Sequence, residues 1–402
     1  MRIHKFLGAT VSMLLLSVLL AACGGAAPAA APTAAPAAEQ PTAAPAPTAA
    51  PAPTTAPAAA PTAAPAAEPT AAPAPTVAPA AEPTAAPAAG GAADKVTLQL
   101  KWVAQAQFAG YYAALDQGFY KAENLDVTIR PGGPDIAPEQ VVAGKQAEFG
   151  LDWLASLLAV REQGTPLVNI AQVFRLAGMR ELSWKESNIN SPADWKGKKV
   201  AVWFFGNEYN LLATLAKYKL DKDKDVTIVQ QPFDMNLLLN KEVDAAAAMT
   251  YNELYQVLSA GHKIDELNII DYNKEGTAMP EDGIFVREDW LQDAKNKDIA
   301  ARFLRASFKG WEYCRDNVDA CVDIVLKNDV SGVMTKDAQK WQMVEINKLV
   351  WGDPLDKNAK IGYMEPDLFK RGAETALKFG VIKKPADEAA YTHEIWEMAT
   401  KK

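Results

Sequence analysis

The sequence predicts a two-lobed α/β protein, two doubly wound lobes with a ligand cleft between them, and three observations carry that prediction. About 300 residues of ordinary globular composition follow residue 94, more than a single hydrophobic core accommodates. Strand and helix patterns alternate from Val96 onward, as a mostly parallel sheet with helices on both faces requires. The alternation restarts near Asn190, which marks a second winding. In open sheets of this kind ligands bind beyond the carboxyl ends of the strands, so the loops there are the candidate site.

Two segments precede that body. Residues 1–22 read as an export leader: Arg2 and Lys5 form a basic start, Phe6 through Leu20 an apolar run too short to remain in a membrane, and Ala21-Ala22 a small-residue end. The Cys23 that follows resembles the lipidated cysteine of bacterial lipoproteins, so attachment through lipid at Cys23 is expected. Residues 23–94 are mostly Ala, Pro and Thr, with Glu39, Glu68 and Glu82 as the charges before the final Asp94. Such a tract has nothing to bury and is expected to be a disordered spacer of polyproline character, reaching at most ~200 Å. The expected localisation is the extracytoplasmic face of the cell membrane.

The strands and helices of the body follow in order. Val96-Thr97-Leu98-Gln99-Leu100 alternates as a strand, and Ala109 to Gln117 continues as a helix ending at Gly118. Asp126-Val127-Thr128-Ile129 is a second strand, stopped by Pro131-Gly132-Gly133-Pro134. A helix near Pro138–Ala143, a strand at Glu148-Phe149-Gly150, a helix from Leu154 to Gln163 and a strand Leu167-Val168-Asn169-Ile170 complete the first series. In the second series the strand Val200-Ala201-Val202-Trp203-Phe204-Phe205 turns at Gly206-Asn207 into a helix reaching Leu220. Val226–Val229 and Ala245–Met249 are further strands, and after about Asp282 the chain reads as helical to its end. The expected division is 95–190 plus 283–402 for lobe 1 and 191–282 for lobe 2. The late tryptophans, Trp290, Trp311, Trp341, Trp351 and Trp396, sit at helical spacing and read as core.

Three cysteines and a net charge of -8 narrow the function further. On one continuous helix Cys314 and Cys321 would stand ~10.5 Å apart, too far to bridge. The intervening Asp316-Asn317-Val318-Asp319 reads as a helix stop followed by a new N-cap, so a disulfide and two buried thiols both stay open. The acidic balance leaves no basic stripe for nucleic acid. With His4 in the leader, only His262 and His393 remain, too few for a metal or triad constellation. No cofactor and no catalysis are expected, and a monomer is.

Several segments together resemble the NMT1/THI5-like branch of periplasmic solute-binding proteins. They are Leu100-Lys101-Trp102, Gly118-Phe119-Tyr120-Lys121 through Leu125-Asp126-Val127, Gly144-Lys145 to Gly150, Ser191 to Val200, and Tyr251-Asn252-Glu253. The resemblance spans nearly all of 95–402 and implies a type II periplasmic-binding-protein fold working with an ABC permease and ATPase. The same family holds pyrimidine synthases, whose reactive Lys and His correspond to Asp152 and Ser156 here. Their cysteine cluster corresponds to Gly276–Pro280, and their glycine-rich phosphate loop to Trp203-Phe204-Phe205-Gly206-Asn207. An Asp forms no Schiff base, so the departures argue against that chemistry.

Within this family the chain is most similar to the riboflavin-binding lipoproteins of bacterial importers. That similarity implies a neutral tricyclic ligand, with a thiamine pyrimidine precursor as the second reading and a ligand-sensing module as a remoter one. Trp102, Trp153, Phe205 and Tyr251 are expected to stack on the ring from carboxyl strand ends, with Tyr111 added from the first helix. Asp152, Asn207, Asn252 and Glu253 are expected to hydrogen-bond its edge. Asp152 also fits a helix cap before Leu154, and either Trp203 or Phe204 must face the lobe core.

Overall fold

A computed structural model gives the structure of the protein and describes residues 91–332 and 334–401. The expected leader, Cys23 and residues 23–90 of the expected spacer lie outside the described residues. Among the described residues ten strands form two five-stranded sheets. The first sheet holds β1 (Asp94–Gln99), β2 (Leu125–Arg130), β3 (Phe149–Asp152) and β4 (Leu167–Gln172). The second holds β5 (Met179–Trp184), β6 (Lys199–Val202), β7 (Thr227–Gln230), β8 (Ala245–Met249) and β9 (Leu267–Asp271), after which β10 (Gly283–Arg287) rejoins the first. The orders are β2-β1-β3-β10-β4 and β7-β6-β8-β5-β9.

Each sheet is parallel except for one strand. β10 runs antiparallel to β3 and β4, and β5 runs antiparallel to β8 and β9. These are the strands by which the chain enters a sheet after crossing from the other. The crossings are short, Val173–Gly178 outward and Gly276–Asp282 back. Two corrections to the sequence reading follow. The second lobe's sheet begins with β5, ahead of the expected boundary at 190/191, and Gly283–Arg287 is a strand where helix was expected. β5 reads poorly because Met-Arg-Glu-Leu-Ser-Trp lacks an apolar alternation; its buried Glu181 instead accepts a hydrogen bond from the Tyr272 hydroxyl at 2.7 Å. Only Asp94, counted in the expected spacer, shifts at the other end: it starts β1 and pairs with Arg302 at 2.7 Å.

Helices after residue 293 complete the first lobe. The 23-residue helix Ala294–Asp316 buries Phe303, Phe308 and Trp311 and lies along the helix Ala109–Asp116. Backbones touch at this crossing, where Gly110 meets the Trp311 ring and a Cβ at Gly310 would overlap the Gly110 carbonyl oxygen. Gly310→Ala is therefore expected to lower stability by about 1–3 kcal/mol through overpacking, read as a drop in urea midpoint at unchanged slope. The helix breaks at Asn317 and a new one runs Val318–Lys327, which brings the Cα atoms of Cys314 and Cys321 to 5.4 Å; the two are disulfide-bonded. Trp311 and Trp351 are core, and Trp341 and Trp396 donate to the Thr250 and Ile361 carbonyls at 3.1 and 2.8 Å. Among the described residues no helix is long and apolar enough to cross a membrane.

Candidate functional site

Aromatic side chains from both sheets converge on one crevice. Trp102 follows β1 and Trp153 follows β3 in the first lobe; Trp203 follows β6 and Tyr251 follows β8 in the second. Each lies just beyond the carboxyl end of a parallel strand, where the sheet stops shielding side chains from the opposite lobe. Trp102 meets Trp203 edge-to-face at 6.0 Å and Phe233 at 5.2 Å between ring centroids, so the two lobes touch through aromatic rings. Lys101, Gln105, Gln107, Asn207, Met249, Asn252 and Glu253 fill the remaining wall. The space between them is ≈ 30 Å³, room for about one or two waters. Admitting a ring therefore requires these walls to part.

The polar groups are held as firmly as the rings. Asp152 and Lys101 form a buried ion pair, and the Lys101 ammonium also stands 4.8 Å from the Trp153 ring centroid. Asp152 accepts in addition from the Trp153 backbone N–H at 2.6 Å. The Trp203 indole donates to the Pro232 carbonyl at 2.9 Å, and the Asn207 amide to the Phe204 carbonyl at 2.7 Å. Glu253 accepts from the Met249 N–H at 2.9 Å and from the Asn252 amide at 2.7 Å, so both its oxygens brace the turn after β8. Burial pushes Glu253 up to about 7. Burial and the neighbouring Asp152 charge push Glu139, behind the ion pair, well above the usual carboxylate range.

Six of the nine expected ligand residues line the crevice: Trp102, Trp153, Asn207, Tyr251, Asn252 and Glu253. Three do not. Asp152 sits behind the wall, fully buried against Lys101. Tyr111 packs into the lobe core edge-to-face with Trp311 at 5.6 Å, because the helix Ala109–Asp116 turns that face to the helix Ala294–Asp316. Phe205 is half exposed, with its backbone at φ 58°, and Trp203 occupies the place expected of it. β6 ends at Val202, and the turn then swings the chain so that Gly206 packs against Ser156 of the other lobe. Lys101, Gln105, Gln107 and Met249 were not singled out. Position beside Trp102 at a strand end was the available signal for Lys101, and the two glutamines carry none.

Buried carboxyls near the crossings have a measurable consequence. Burial first, and Asp282 beside it, raise Glu281 to about 8; burial likewise raises Asp282 to about 7. A carboxyl raised on folding stabilises fully below its unfolded value and loses that contribution as pH climbs through the folded value. With Glu253, these groups predict a melting temperature that falls between about pH 5 and pH 8, on the order of 5 °C, in a scanning calorimeter.

Comparison with known proteins places this geometry. The family model described as NMT1/THI5 like matches residues 105–320. Riboflavin-binding protein RibY of Chloroflexus aurantiacus is 27% identical over 348 residues, 84% of this chain and 90% of that protein. A formylaminopyrimidine-binding protein of Halalkalibacterium halodurans is 25% identical over 240 residues, 59% of this chain and 71% of its own. The solved alkanesulfonate-binding protein SsuA from Xanthomonas axonopodis pv. citri, bound to MOPS, superposes with a TM-score of 0.55 at 15% identity. That superposition covers 76% of this chain and 99% of that one. The two-lobed fold is thus the periplasmic-binding-protein fold expected from the sequence.

Proposed function

This chain belongs to the NMT1/THI5-like family, and from that premise we propose that it is the extracytoplasmic binding subunit of an ABC importer, taking up riboflavin. One observation carries the ligand class. Rings from both lobes meet there, while Lys101, the one cation among the described residues that line the crevice, is neutralised by Asp152. Flat apolar faces suit a flat ligand, worth about 0.5–1.5 kcal/mol per stacked pair beyond burial. With the Lys101–Asp152 pair neutral as a unit, the buried carboxyls Glu253 and Asp282, partly ionised near pH 7, disfavour an anion such as a sulfonate. The ligand bridges the lobes, stabilises their closed state and is presented to the permease in that state. Lipid at Cys23 and the Ala/Pro/Thr segment tether a monomer to the membrane.

A thiamine pyrimidine precursor is the second reading. The narrow space between Trp102 and Trp203 favours it, as does the braced Tyr251-Asn252-Glu253 turn, which suits a small aminopyrimidine edge. Titrating the protein with riboflavin and with formylaminopyrimidine separates the two. Riboflavin fluorescence quenched on binding supports the first; a melting temperature raised by the pyrimidine and unmoved by riboflavin replaces it with the second. Turnover of either compound would contradict both in favour of an enzyme.

A further inference from the structure

Glu281 and Asp282 close the return crossing, and they reach in opposite directions. Glu281 is buried and spans to the outward crossing, where its carboxylate accepts from the backbone N–H groups of Gly178 at 2.8 Å and Met179 at 3.1 Å. Asp282, also buried, turns into the first lobe. Its two oxygens accept from the Trp153 indole N–H at 3.2 Å and the Gln107 amide at 2.8 Å, both on crevice-lining residues. Gln107 in turn accepts from Gln105 at 2.7 Å, and Gln105 from Gln342 at 3.3 Å. The backbone is bound as well: the Val173 N–H donates to the Asp282 carbonyl at 3.4 Å, and the Gln172 amide to that of Glu281. Asp282 holds φ at 51°, a left-handed conformation that costs a non-glycine residue energy and persists where the surroundings impose it.

A buried pair of adjacent carboxyls between two lobe connections is expensive to desolvate and does nothing for packing that Gln-Asn would not do. We propose that Asp282 is the positioning residue of the crevice and Glu281 its anchor on the opposite crossing, so that one dipeptide fixes the Trp153–Gln107 wall and holds the two connections together. The proposal rests on the crevice being the ligand site, but on no particular ligand. The groups facing Asp282 are Lys101 after β1, Asp152 at the end of β3, Glu281 beside it, Tyr111 from the first helix and Tyr251 after β8. Burial leaves Asp282 titrating near 7; ionised, both its oxygens accept strongly, whereas the protonated form carries an O–H on one of them and holds that donor weakly.

The test uses the full chain, riboflavin as probe, and the variants Asp282→Asn, Asp282→Glu, Glu281→Gln and Trp153→Phe. Without ligand, Asp282→Asn is expected to shift the Trp153 indole N–H resonance, and Glu281→Gln to speed hydrogen exchange at Gly178 and Met179. With riboflavin, Asp282→Asn is expected to weaken binding about tenfold or more, and Asp282→Glu to recover part of it. The ratio of wild-type to Asp282→Asn affinity is expected to rise from about pH 6 to about pH 8. Combining Asp282→Asn with Trp153→Phe is expected to cost less than the two separately, because they remove one interaction. An unmoved indole resonance with only a lower melting temperature overturns the proposal, as does a flat affinity ratio with additive costs. If the wild-type protein fails to bind riboflavin, the ligand assignment falls, and the two ligand-free readouts decide the positioning role alone.

Discussion

Trp102→Ala is expected to weaken riboflavin binding about 100-fold. Trp102 is the first-lobe ring that reaches across to the second, against both Trp203 and Phe233. It is 9% exposed, so little of it is available to other partners. A tryptophan face covering half a flat ligand removes on the order of 100 Å² of apolar surface from water, about 2.5 kcal/mol, and stacking adds about 0.5–1.5 kcal/mol. Part of that gain is offset by parting Trp102 from Trp203 and Phe233, which leaves close to 3 kcal/mol, or two decades in Kd. Trp102→Phe keeps a flat face and is expected to lose less than about tenfold. Fluorescence titration reads both, and a threefold loss or less for Trp102→Ala would place the ligand elsewhere.

The second large effect concerns stability. Lys101→Met is expected to lower unfolding free energy by about 3–5 kcal/mol, a large share of what a domain has, because it strands the Asp152 charge in the interior. Side-chain exposure is 5% for Lys101 and 0% for Asp152, and the other group beside Asp152 is the buried carboxyl of Glu139. Glu139, already pushed upward by burial and by Asp152, loses the Lys101 charge that opposes that push. Lys101→Met combined with Asp152→Asn removes both charges and is expected to regain at least half the loss. Urea unfolding of the single and double variants measures this; a single variant within about 1 kcal/mol of wild type would show the pair to be hydrated.

Those two residues also illustrate what the sequence made legible. Trp102 stands at the end of an alternating strand, and strand ends are where a parallel sheet offers side chains to a ligand, so it was readable. Lys101 is one place earlier, and its partner Asp152 lies 51 residues away, a pairing no local pattern reveals. β1 and β2 were legible as alternating strands and β4, β6 and β8 as apolar ones, whereas β5 hid behind Arg180, Glu181 and Ser183. Its burial depends on partners such as Tyr272, which no local pattern reveals. The break at Asn317 was visible as a cap signal, but only the refolded helix pair decides that Cys314 and Cys321 meet. Phe205 and Trp203 differ by two positions, and the left-handed turn at Phe205-Gly206 chooses between them. Tyr111 was lost because a helix face, unlike a strand end, is settled by what packs beneath it, here Trp311.

A crystal structure of the protein with riboflavin tests the account most directly. The expected result is the isoalloxazine ring lying between Trp102 and the Trp203–Tyr251 wall, with Trp153 still bonded to Asp282. Ring density in the outer groove between Arg175 and Phe379, or contacts to one lobe only, would contradict it.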